Sequence, residues 1–122
     1  MEKQIVVRDD IRIAVINSDE ALIYDGQSAL DLLISLAYND RCERIVLNKE
    51  SLTEEFFTLS SGVAGEILQK LVNYTVKLAV YGDFSEYDSK PLKDFIYECN
   101  NGRDFFFSAT KEEALEKLSM TQ

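Results

Sequence analysis

The chain has 122 residues, with 22 acidic and 13 basic side chains, a net charge of −9, one proline, two cysteines and no histidine. Its length suits one domain with its own core, and 46 % hydrophobic with 29 % charged residues is the balance of a folded chain. The missing histidine excludes Ser-His-Asp and Cys-His catalysis, histidine metal sites and histidine proton shuttling within one chain, and the acidity argues against a general nucleic-acid binder.

Residues 4–7 and 11–16 read as a β-hairpin, with Asp9-Asp10 as its turn. Ala29, Leu30, Leu33, Ile34 and Ala37 then recur at helical steps, with Asp25 or Ser28 as N-cap and an end near Asn39-Asp40. Residues 44–48 form a short, continuously apolar strand of the buried kind. Ser51-Leu52-Thr53-Glu54 has the spacing of a capping box ahead of a helical turn carrying Phe56 and Phe57. A clearer helix follows, with Val63, Ala64, Ile67, Leu68, Leu71 and Val72 on its apolar face. Gly65 is expected to let that helix approach the sheet. Residues 76–81 are the strongest strand, ended by Gly82-Asp83. Ser89 and Pro91 open the next helix, Leu92, Phe95, Ile96 and Cys99 form its buried face, and Gly102 is its expected left-handed stop. Residues 104–107 give the last strand, and Thr110-Lys111-Glu112-Glu113 a second capping box before Ala114, Leu115 and Leu118.

Strands alternating with helices in this order predict an α/β fold. One domain over residues 1–122 would carry a mixed, mostly parallel sheet of about five strands with about four helices. Met1-Glu2-Lys3-Gln4 leads into no secretory pattern, and no segment approaches the roughly 18 apolar residues of a membrane span. Cys42 and Cys99 match no metal or redox spacing. The expectation is a cytoplasmic protein with free thiols, no metal and no cofactor.

Two connections exceed the usual two to six residues of an α/β loop: residues 49–62 and 82–90. They lie beyond the carboxyl ends of strands, where ligands and partners of open α/β sheets usually engage. In the first, Ser60, Ser61 and Gly62 stand at the start of a helix, where a serine serves as N-cap or, if phosphorylated, places an anion at the positive end of the helix. In the second, Gly82, Asp83, Phe84, Ser85, Tyr87, Ser89 and Lys90 are the candidates. Phe84 and Tyr87 are either a lid over the local core or anchors of an interface. Asp83, Glu86 and Asp88 match no cation-binding loop. Asp25, Asp83, Glu98 and Tyr81 are acid–base candidates, with no spacing that pairs a nucleophile with its base.

The element order over residues 42–118 resembles STAS domains, the fold of bacterial anti-anti-sigma factors and of sulfate-transporter tails. Within it, Phe56-Phe57-Thr58-Leu59-Ser60-Ser61-Gly62-Val63 is similar to the STAS segment in which a serine pair and a glycine precede a helix. That resemblance places Ser60 on the position phosphorylated by a cognate kinase, with Leu59 where the family has an acidic residue. Longer stretches, among them Lys77-Leu78-Ala79-Val80-Tyr81-Gly82-Asp83-Phe84-Ser85 and Lys93-Asp94-Phe95-Ile96-Tyr97-Glu98-Cys99, resemble a small bacterial STAS-like family described only as a domain of unknown function. The resemblance implies a soluble bacterial protein and supplies no activity; together with the missing catalytic constellation, the loop of Phe84 and Tyr87 and Ser60 at a helix start, it leads to the expectation of a regulatory module that binds a protein partner. Charge and hydropathy leave neither nucleic acid nor membrane as partner, and a homodimer through a sheet edge stays open. A second reading is a binder of nucleotides or other phosphate-containing ligands, or an enzyme, using the helix amino ends near Ser61 and Ser89.

Overall fold

In the computed structural model, which describes residues 1–121, the chain opens with a hairpin of β1 (Glu2–Arg8) and β2 (Ile11–Asn17). Asp9 and Asp10 both take positive φ, 52° and 66°. That is the mirror-image two-residue turn whose twist matches paired strands, and aspartate tolerates it better than most side chains. Next come α1 (Gly26–Asp40), β3 (Arg44–Asn48), α2 (Val63–Asn73), β4 (Lys77–Tyr81), α3 (Lys90–Asn100), β5 (Phe105–Ser108) and α4 (Lys111–Met120). Three short 3₁₀ turns fill the connection between β3 and α2.

The five strands lie in chain order in one sheet. β1 is antiparallel to β2 and every later pair is parallel. This is the predicted mixed α/β architecture. Each crossover steps one strand in the same direction, so its helix returns over the same face. Ala14, Ile16, Ile45, Leu47, Leu78 and Val80 accordingly share one core with residues of α1, α2 and α3. Ile13, Val15, Val46, Ala79 and Phe106 point the other way and meet Ala114, Leu115 and Leu118 of α4. Its two buried leucines contribute roughly 1.5–3 kcal/mol each. Arg44 adds hydrogen bonds to the carbonyls of Leu118 and Thr121 at the end of α4, groups that a helix leaves without internal partners.

Several local expectations change. In α1 the buried stripe is Gly26, Ala29, Leu33 and Leu36, while Ile34 is 42 % exposed and Ala37 is exposed. Two apolar stripes lie about 100° apart on this helix, and the first is the one packed into the core. Val72 is exposed beyond the face of α2. Ser51 caps nothing: it is buried and donates to Asn48 O at 2.6 Å, tying the first 3₁₀ turn to the strand end. Gly65 faces open space. The close approach is at Gly26, where a Cβ would lie 2.8 Å from Glu66 Oε1. Gly102 does not take the left-handed conformation. Instead α3 closes through Asn101 at φ −91°, ψ −2°, and Gly102 N donates to Cys99 O.

Candidate functional site

At the carboxyl edge of the sheet the two long loops are clasped together by side chains that neither loop's own sequence signals. Lys49 follows β3 directly, with its side chain 11 % exposed. Its ammonium pairs with Glu86, donates to Asp83 O at 3.1 Å and lies 4.8 Å from the centre of the Tyr87 ring. A cation held over an aromatic face while bonded to a carboxylate is an attractive arrangement on both counts. Gly82 makes room for it: a Cβ there would fall 2.7 Å from Lys49 Cβ.

Beneath the clasp the aromatic side chains form one cluster. Tyr87 stacks on Phe57 with ring centres 5.0 Å apart, Phe84 meets Phe57 at 5.9 Å, and Phe84 meets Phe107 edge-on at 5.4 Å. Phe57 and Phe107 are core residues, and Phe84 and Tyr87 are half-buried against that core. Of the two readings of Phe84 and Tyr87, the structure supports the lid. The Tyr87 hydroxyl donates to Glu54 Oε1 at 2.8 Å. Burial, that bond and the nearby carboxylates of Glu54 and Glu50 raise the pKa of the phenol, keeping it a donor throughout the neutral range.

The remaining candidates have settled local roles. Asp83 accepts from the Ser85 hydroxyl at 2.6 Å and from Ser85 N at 2.9 Å. Those bonds to the charged form hold its carboxyl below the usual range. Ser89 caps α3 by accepting from Leu92 N, and Lys90 pairs with Asp94 one turn on. Gly62, at φ 81°, occupies the N-cap position of α2. Thus neither serine before α2 is its cap. Ser61 accepts from Val63 N at 3.2 Å and donates to Glu55 O at 2.8 Å. Ser60 is exposed, and its hydroxyl makes no hydrogen bond among the described residues. It lies on a cleft of about 310 Å³ between Leu59 and Ser60 on one side and Tyr87, Asp88 and Ser89 on the other.

The acid–base candidates do not converge. Asp25 is the N-cap of α1 and accepts from Ser28 N at 2.8 Å. Those bonds from Ser28 lower its pKa. Tyr81 and Glu98 line different cavities on different elements. Asn48, which sequence reasoning did not single out, anchors the platform. It is buried, accepts from Ser18 N at 3.0 Å and donates to Ser18 O at 2.7 Å. A polar residue closing a continuously apolar strand was the available signal.

Among the described residues no helix is long and apolar enough to cross a membrane, and no group of three or more Cys, Asp or Glu side chains is placed to hold a metal ion. No curated protein matches the sequence. Among solved structures, the anti-sigma factor antagonist SpoIIAA in its unphosphorylated form is similar, with 17 % sequence identity and a TM-score of 0.46. The alignment covers 98 % of this chain and 99 % of that chain. A family match extends from residue 8 to residue 118 and contains both long motifs quoted above, residues 77–85 and 93–99. The chain belongs to the family described as a domain of unknown function (DUF4180).

Proposed function

We propose that the chain is a STAS-like regulatory module of the cytoplasm that works by binding a protein partner, not by catalysis, and that Ser60 and the rim of its cleft form the binding surface. The observation that carries this reading is the state of Ser60. Its hydroxyl is exposed on the cleft and makes no hydrogen bond among the described residues, whereas the neighbouring Ser61 and Ser89 hydroxyls are both engaged. A side chain with no structural duty can be modified or covered without unfolding its surroundings. A phosphate there would add a charge of about −1.5 to −2 beside Asp88, turning a mixed rim strongly acidic.

The first turn of α3 is poorly equipped for the alternative, an anion cradle. Pro91 lacks an N–H and Leu92 N is already bound to Ser89. Dispersal of the acid–base groups also favours binding over chemistry.

The test is quantitative affinity capture from the native host with the wild-type chain, Ser60→Glu and an Asp88→Arg variant. A genuine partner should be recovered by the wild type and lose affinity about tenfold or more, near 1.4 kcal/mol, with either substitution. Intact-mass measurement of native protein should show a phosphate that Ser60→Ala loses. Identical capture by all three chains would overturn the placement of the surface.

A further inference from the structure

The two edges of the sheet are finished differently. At the β5 edge, Leu78 N bonds to Asp104 O and Gly82 N to Ser108 O. Residues 104 and 108 therefore turn their carbonyls toward β4, and the backbone of Phe107 faces outward. Asn100 from α3 closes that position by accepting from Phe107 N at 2.7 Å. Four residues long and plugged at its centre, β5 offers little to a further strand.

Among the described residues no side chain plugs β1 in this way. The strand is seven residues long, contains no proline, and pairs one-to-one with β2 from Glu2↔Asn17 to Arg8↔Ile11 without a bulge. Among the described residues its neighbour in the sheet is β2 alone. Residues flanking a two-residue turn form a hydrogen-bonded pair, so Arg8, Val6, Gln4 and Glu2 bond to β2. Lys3, Ile5 and Val7 consequently aim their N–H and C=O groups out of the sheet. Val7 is 56 % exposed on this edge. A seven-residue edge whose outward N–H and C=O groups are unpaired is a template for pairing with another chain.

We propose that β1 pairs antiparallel with β1 of a second copy of this chain, with Ile5 on the two-fold axis, joining two five-stranded sheets into one of ten. The register follows from the residues. With Ile5 opposite Ile5, Lys3 lies opposite Val7 and Glu2 opposite Arg8, twice over by symmetry. Each outward-facing residue of one copy then meets an outward-facing residue of the other. Three opposed pairs with two bonds each give six inter-strand hydrogen bonds. A shift by two residues in one direction sets Val7 opposite Ile5 and Arg8 opposite Gln4. A shift by two in the other sets Val6 opposite Glu2 and removes Arg8 from the pairing. The centred register unites opposite charges, which stabilises cross-strand neighbours. Arg8 already pairs with Glu112 at 2.6 Å, and its guanidinium has donors for a second carboxylate. In the paired sheet Lys3, held by Asp40 at 2.8 Å, would lay its aliphatic stem across the exposed Val7 of the second copy.

Sedimentation equilibrium across a concentration series, combined with amide hydrogen exchange, tests this pairing. The wild-type chain is expected to dimerise, with the amides of Lys3, Ile5 and Val7 protected when concentrated and exchanging freely on dilution. Glu2→Arg should weaken the dimer about tenfold by setting like charges face to face, and Glu2→Arg with Arg8→Glu should restore it. Val7→Pro removes an outward N–H that β2 does not use and should abolish pairing. If Val7→Pro fails to fold, the charge swap at Glu2 and Arg8 decides alone. A chain that stays monomeric at every concentration overturns the proposal. So does a dimer indifferent to the Glu2 substitution and its rescue, or one in which those three amides exchange freely.

Discussion

Replacing Asn48 by aspartate changes one side-chain nitrogen to oxygen and should be among the costlier isosteric substitutions in this protein. Asn48 is 5 % exposed and bridges the ends of β2 and β3. Its oxygen accepts from Ser18 N, and its nitrogen donates to Ser18 O at 2.7 Å and to Glu50 Oε1 at 3.2 Å. In Asn48→Asp the new oxygen faces a carbonyl and a carboxylate, so two attractive contacts become repulsive while a charge is buried. Leaving a buried polar group unsatisfied costs about 1–3 kcal/mol, more where charge is involved. A loss of roughly 3–5 kcal/mol at pH 7 follows. At this chain length each kcal/mol lowers Tm by about 4 °C, giving a fall of about 12–20 °C.

The sign of the pH dependence is also determined. The folded state disfavours the ionised form, so the pKa of this carboxyl rises on folding above its ordinary value near 3.9. Stability is then highest below the unfolded value and is lost as pH rises through the folded one. Protonation restores a donor toward Ser18 O. Urea denaturation of wild type, Asn48→Asp and Asn48→Ala at pH 4.5 and pH 7 would measure this. The deficit of the aspartate variant should shrink at the lower pH, and that of the alanine variant should not. An aspartate variant within about 1 kcal/mol of wild type at pH 7, or equally impaired at both pH values, would refute the reasoning.

Two further outcomes follow from geometry. Gly82→Ala should cost about 1–3 kcal/mol through overpacking, because its Cβ meets the Cβ of Lys49 next to the backbone. Gly26→Ala should cost less, since there the obstacle is the mobile end of Glu66, and paired urea titrations would rank them. For Cys99, burial first and the Glu98 charge second push the thiol up to about 11. Alkylation of the folded chain by iodoacetamide at pH 8, followed by intact mass, should therefore run about 200-fold slower than for an unperturbed thiol of pKa near 8.5.

The order of elements, the hairpin turn at Asp9-Asp10 and the predominance of parallel strands were legible in the chain because their signals are local. Apolar periodicity, caps such as Ser89 and Thr110, and turn-forming aspartates act over four residues or fewer. Position in chain order likewise pointed to the two long loops as the distinctive surface. What those loops contain was decided elsewhere. Glu86 lies 37 residues from Lys49, Tyr87 33 from Glu54, and Glu66 40 from Gly26. Each pair meets because sequential crossovers bring successive strand ends side by side. The same stacking chose which stripe of α1 to bury, turned Phe84 and Tyr87 inward as a lid, and left Ser60 outward. Pattern along a chain determines which residues prefer to be covered; only the packing of separate elements determines what covers them.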